Sequence, residues 1–129
     1  MAYDKDSISG RLSLWFDGME QFQLPVWEQL PQIELYMDQV ILLLKQYLTP
    51  LYHGEVDRAI TTSIINNYVR MKIIPPPAKK KYSRVHIASL IMICVLKQSL
   101  SISCIQRMLP ADQSEDSMHP LYEIGRAHV

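Results

Sequence analysis

Val85–Leu96 is a twelve-residue apolar run broken only by His86 and Ser89. A bilayer needs about 20 such residues, so this run does not span a membrane. Ser83 stands just before it as a helix cap, and Ile87, Leu90, Ile91, Ile93, Cys94, Val95 and Leu96 leave no polar face. A helix that is apolar nearly all round must be enclosed by other elements. The chain is therefore expected to fold around it as an all-helical domain. With 129 residues, 48% of them hydrophobic and 20% charged, one soluble domain is expected. The acidic start, Met1-Ala2-Tyr3-Asp4-Lys5-Asp6, has none of the sections of an export signal, which predicts a cytoplasmic protein. Cys94 and Cys104 lie in apolar helical patterns without zinc spacing and read as reduced core thiols.

The remaining helices follow from periodicity. Ile8, Leu12, Trp15, Phe16, Met19 and Phe22 predict an N-terminal helical extension over residues 1–23. Leu24-Pro25-Val26-Trp27 and Leu30-Pro31 form a connector, because a residue before proline is pushed out of the helical region. Ile33, Met37, Val40, Ile41, Leu44 and Leu48 predict an amphipathic helix over 32–48, stopped by Thr49-Pro50. Thr61 or Thr62 caps a short helix that buries Ile65, Tyr68 and Val69. Its other face stacks Ser63, Asn66, Asn67 and Arg70 in one polar stripe. Pro75-Pro76-Pro77 ends it, and Ala78-Lys79-Lys80-Lys81-Tyr82 follows as a basic loop or small hairpin. Ser101 caps a last helix, closed by Pro110. Residues 111–129 are expected to be a disordered or truncated tail, and 123–129 resemble a translated sequencing adapter.

Charge is segregated along the chain although thirteen basic and thirteen acidic residues cancel. Residues 1–57 carry a net −6 and residues 111–129 a net −3. Between them, Arg58 to Pro110 contains no Asp or Glu and nine cations: Arg58, Arg70, Lys72, Lys79, Lys80, Lys81, Arg84, Lys97 and Arg107. Fifty-three residues without a carboxylate suggest a surface made for a polyanion.

The order of elements over 60–109 resembles the winged helix-turn-helix of the MerR type. The signature is Thr61 to Pro75, then Tyr82-Ser83-Arg84 before the apolar helix, then Leu100-Ser101-Ile102-Ser103-Cys104-Ile105. Residues 24–109 are also similar to a bacterial domain-of-unknown-function family, number eighteen thirty-six. That match is carried by Leu24 to Pro31, Tyr36-Met37-Asp38-Gln39-Val40, Ile65-Asn66-Asn67-Tyr68-Val69 and Lys79 to Arg84 with His86-Ile87-Ala88. The resemblance implies a MerR-like domain over 24–110, with a recognition helix in the major groove and a basic wing on the phosphates. It also implies a bacterial transcriptional regulator that binds double-stranded DNA as a homodimer. Ser63 and Asn66 stand where MerR-type helices usually carry arginine, and of the usual tyrosine pair only Tyr68 is present. Lys72 replaces the usual glycine, which predicts a different exit from the recognition helix.

The expected DNA-binding residues are Thr62, Ser63, Asn66, Asn67, Tyr68, Arg70, Lys72, Lys79, Lys80, Lys81, Tyr82 and Arg84. Cations neutralise phosphate, and asparagine amides pair with adenine edges. Bland alternatives stand beside these assignments: a solvated face for the asparagines, a core ring for Tyr68, a solvated turn for the lysines. The rival function is a protein-interaction adaptor whose basic face docks an acidic partner or the chain's own acidic N-terminal portion. No phosphate-cradling glycine loop or nucleophile–base pair stands out, so neither an enzyme nor a cofactor is expected. His53 with Asp57 reads as an exposed coincidence, and His86 as a satisfied structural histidine.

Overall fold

A computed structural model describes residues 24–52 and 54–127. The predicted helix over 1–23, and His53, lie outside the described residues. After a short 3-10 turn at Trp27–Gln29, the helices are α1 (Met37–Tyr52), α2 (Val56–Ala59), α3 (Thr62–Arg70), α4 (Arg84–Leu96), α5 (Ile102–Met108) and α6 (Glu115–Ala127). Among the described residues, extended pairing is limited to two isolated antiparallel bridges, Leu35 with Tyr82 and Ala78 with Lys81. No described helix is long and apolar enough to cross a membrane.

α4 is the axis of the fold, as its composition requires. Every side chain from Val85 to Cys94 is buried. α1 packs on one side through Val40, Leu44 and Leu48, and α6 packs on another. The Tyr52 hydroxyl donates to the Cys94 carbonyl at 2.8 Å and pins the end of α1 to α4. Burial pushes the Cys94 thiol up to about 11, so it stays protonated in the core. Cys104 is half-buried.

Two helix boundaries differ from expectation. α1 starts at Met37 and not near Gln32, because Leu35 exchanges both backbone hydrogen bonds with Tyr82, at 2.9 and 2.7 Å. That extended pairing leaves Ile33 exposed instead of on the buried face. Gln39 then caps α1 by accepting from the Tyr36 N–H at 2.9 Å. At the other end Pro50 does not stop the helix, which runs to Tyr52. Its missing N–H costs one bond in the last two turns, and the Thr49 hydroxyl donates back to the Lys45 carbonyl nearby.

The larger correction concerns the C-terminal segment. Instead of a disordered tail past Pro110, residues Glu115–Ala127 form α6, with Met118 and Tyr122 wholly buried. The Tyr122 hydroxyl donates to the Pro25 carbonyl, and the Trp27 indole packs edge-on against the Tyr122 ring. Gln113 fastens the segment leading into α6. It accepts from the Ser89 hydroxyl at 2.7 Å and donates to the Ile73 carbonyl at 2.6 Å. The polar run 111–117 cannot fold alone; Met118 and Tyr122 beyond it supply the apolar surface of α6, which packs against α4 and the 3-10 turn.

Candidate nucleic-acid interface

α2 and α3 are joined by Ile60 and Thr61 alone. Thr61 caps α3, its hydroxyl oxygen accepting from the Ile64 N–H at 3.2 Å. Ile65 and Tyr68 point into the core, while Thr62, Ser63, Asn66 and Arg70 are exposed. Asn67 is half-buried, its amide donating to the Met71 sulfur at 3.3 Å and its oxygen accepting from Arg70. Of the two asparagines, Asn66 is the exposed one.

The exit from α3 keeps the geometry of a glycine without the glycine. Ile73 N–H donates to the Tyr68 carbonyl and Lys72 N–H to the Val69 carbonyl, each at 3.0 Å. This 6→1 and 5→2 pair is a Schellman motif. Its left-handed residue is Lys72, at φ 62°. Buried Ile73 and Ile74 anchor the chain immediately after this turn.

The basic excursion is a tight turn. Lys81 N–H donates to the Ala78 carbonyl at 2.9 Å, and the central residues Lys79 and Lys80 sit at φ 53° and 65°. Two successive left-handed residues define a type I′ turn, normally the province of Asn-Gly. Among the described residues, the non-glycine positions with positive φ are Lys72, Lys79 and Lys80. Each such residue costs about 1–2 kcal/mol when its side chain is not glycine or asparagine. At all three positions a lysine occupies a backbone site that glycine or asparagine would fill more cheaply.

Two concavities flank the exposed stripe of α3. One, of about 480 Å³, lies between the lysine turn and the starts of α1 and α3, lined by Tyr36, Met37, Asp38, Ile41, Thr62 and Lys80. The other, about 600 Å³, places Ser63, Asn67 and Arg70 opposite Lys97 and Ser101. Thus Thr62, Ser63, Asn66, Arg70 and Lys80 lie on or beside one helix face, with Lys79 and Lys81 on the adjoining turn. Among the described residues, the salt bridges are Lys45–Asp57, His119–Glu28 and Arg126–Glu123. None engages a cation of the acid-free span.

Three expected contact residues are turned inward. Tyr82 is 3% exposed, its ring packed against His86 at 5.3 Å between centroids, and it cannot reach a ligand. Tyr68 is buried, and its hydroxyl accepts from the Lys97 ammonium at 2.9 Å. Arg84 is half-buried, its guanidinium over the Trp27 ring at 5.7 Å and donating to the Leu30 carbonyl at 3.4 Å. Tyr36, Asp38 and Lys97 were not among the expected residues. Tyr36 and Asp38 reach the site through the Leu35–Tyr82 pairing, which no local pattern announces. Lys97 was legible only as one of the nine cations.

His86 holds the base of this surface together. Its Nδ1 accepts from the Ser83 N–H at 3.0 Å, so the proton sits on Nε2, which donates to the Pro75 carbonyl at 3.1 Å. Burial pushes its pKa below the ordinary histidine value, against weaker opposing contributions from Pro76 and Pro75. The ring thus joins the cap of α4 to the proline exit of α3 in its neutral form. One group with metal-ligand chemistry, Glu28, His119 and Glu123, comes together within 4.8 Å among the described residues. It is built on the connector and α6. There the Trp27 N–H and Arg126 already occupy the Glu123 carboxylate.

Comparison with known families finds a match over residues 25–124 to the domain of unknown function DUF1836. No curated protein and no solved structure matches the chain.

Proposed function

We propose that the chain, which belongs to the DUF1836 family, is a sequence-specific DNA-binding module of a bacterial transcriptional regulator. It is a MerR-like winged helix-turn-helix. α3 enters the major groove, Asn66 with Ser63 reads base edges, and Thr62 and the Lys79-Lys80-Lys81 turn, the wing, hold the phosphate backbone. One observation carries the reading: an exposed polar helix face adjoins a turn that holds lysines in left-handed backbone, within a span free of carboxylates. Strained backbone retained at a charged surface is a mark of a functional site. Arg70, Lys72 and Lys97 extend the cationic surface on the far side of α3. Binding is as a homodimer, so that two recognition helices read paired half-sites.

The test is selection from a random double-stranded oligonucleotide pool. An enriched motif is expected. Asn66→Ala weakens binding at particular bases by about 1–3 kcal/mol. Lys79→Gln and Lys80→Gln weaken all sequences alike and reduce the salt slope by about one each. A pool that yields no motif overturns the reading and favours an adaptor that docks an acidic protein.

A further inference from the structure

The concavity between the wing and the first turn of α3 has a composition that base reading does not explain. Tyr36, Met37 and Ile41 make most of its lining apolar, and Tyr36 is 51% exposed. Thr62 and Lys80 bring one hydroxyl and one ammonium, and Asp38 brings a carboxylate into an otherwise cationic surface. The Lys81 ammonium lies 5.6 Å from the centre of the Tyr36 ring, which holds the aromatic beside the turn.

These groups select among the parts of a nucleic acid. A base edge needs several donors and acceptors, and this lining offers few. A phosphate is repelled by Asp38. A sugar presents C–H surface to the apolar lining, with phosphates on either side of it for the hydroxyl and the ammonium.

We infer that this concavity is a seat for one deoxyribose of the DNA backbone. The Tyr36 ring, Met37 and Ile41 pack on the sugar, Thr62 and Lys80 take the neighbouring phosphates, and Asp38 keeps a phosphate from occupying the seat. This inference rests on the DNA-binding reading and adds Tyr36 and Asp38 to it as contact residues. It makes the two residues register determinants for the backbone, with no preference among bases, since every nucleotide carries the same sugar.

The experiment is fluorescence anisotropy at one salt concentration, with the selected duplex and a base-scrambled duplex of equal length. Tyr36→Ala is expected to weaken both by about tenfold, an order typical of losing an aromatic contact. Tyr36→Phe stays within about twofold of the parent, because the ring and not the hydroxyl packs on the sugar. Asp38→Asn tightens both by about threefold, the order of one exposed charge. Both positions are exposed, and unchanged melting curves confirm that the variants fold. The seat is overturned if the parent binds but Tyr36→Ala and Asp38→Asn bind as it does. It is also overturned if their effects are confined to the selected duplex, which would make them base readers. A parent that binds neither duplex overturns the DNA-binding reading itself, and the seat falls with it.

Discussion

Replacing Lys72 by glycine should make the protein more stable, although it removes a side chain and a charge from a helix end. Lys72 sits at φ 62° as the left-handed residue of the Schellman motif, with both of its characteristic hydrogen bonds formed at 3.0 Å. For a residue with a Cβ, that conformation costs about 1–2 kcal/mol. Glycine removes this strain but loses about 0.5–1 kcal/mol through the greater freedom of its unfolded chain. The net expectation is a gain of about 0.5–1 kcal/mol, or about 2–5 °C in Tm for a fold of roughly a hundred residues. The measurement is urea and thermal unfolding followed by circular dichroism, with a higher midpoint and an unchanged m-value. Lys72→Gln is the control. It removes the charge but keeps the strain, so its midpoint should stay within about 0.5 kcal/mol of the parent, as for an ordinary surface change. Equal gains in the glycine and glutamine variants would assign the effect to charge repulsion and refute the strain argument. A loss in Lys72→Gly would refute the backbone geometry as well.

The turn at Ala78–Lys81 should behave in the same way. Lys79→Asn with Lys80→Gly installs the favoured type I′ pair and is expected to raise stability by about 1 kcal/mol or more while lowering DNA affinity and flattening the salt slope by about two. Gln113→Ala breaks the bonds to Ser89 and Ile73 and leaves two buried groups unpaired, for an expected loss of about 2–4 kcal/mol in urea unfolding; a change below about 0.5 kcal/mol would mean that the segment before α6 does not dock. His86 has a folded-state pKa below its unfolded value, so between those two values the unfolded chain binds more protons. Its contribution is complete above about pH 6.5 and is lost as pH falls through the folded pKa. His86→Gln should flatten that part of the stability–pH curve, measured as urea midpoints across acidic buffers.

The helical class, the central position of α4 and the caps at Thr61 and Ser101 were determined locally. Each follows from apolar spacing within one helix or from a side chain three residues from the N–H it caps, so sequence alone was enough. The acid-free cationic span was equally plain, because charge can be counted without a fold. Tertiary structure decided which of those residues face solvent. Tyr68, Tyr82 and Arg84 look like ligands in a linear string, yet α4, the connector and the proline exit bury the two rings and half-bury Arg84. Tyr36 and Asp38 join the surface only because Leu35 pairs with Tyr82 across a separation no periodicity encodes. α6 shows the same limit, since Met118 and Tyr122 have no helix-forming advantage until Trp27, Pro25 and α4 enclose them. Side-chain burial depends on partners distant in sequence, and so the sequence specified the helices with a strong apolar period and the charge, while packing decided α6 and which side chains reach the surface.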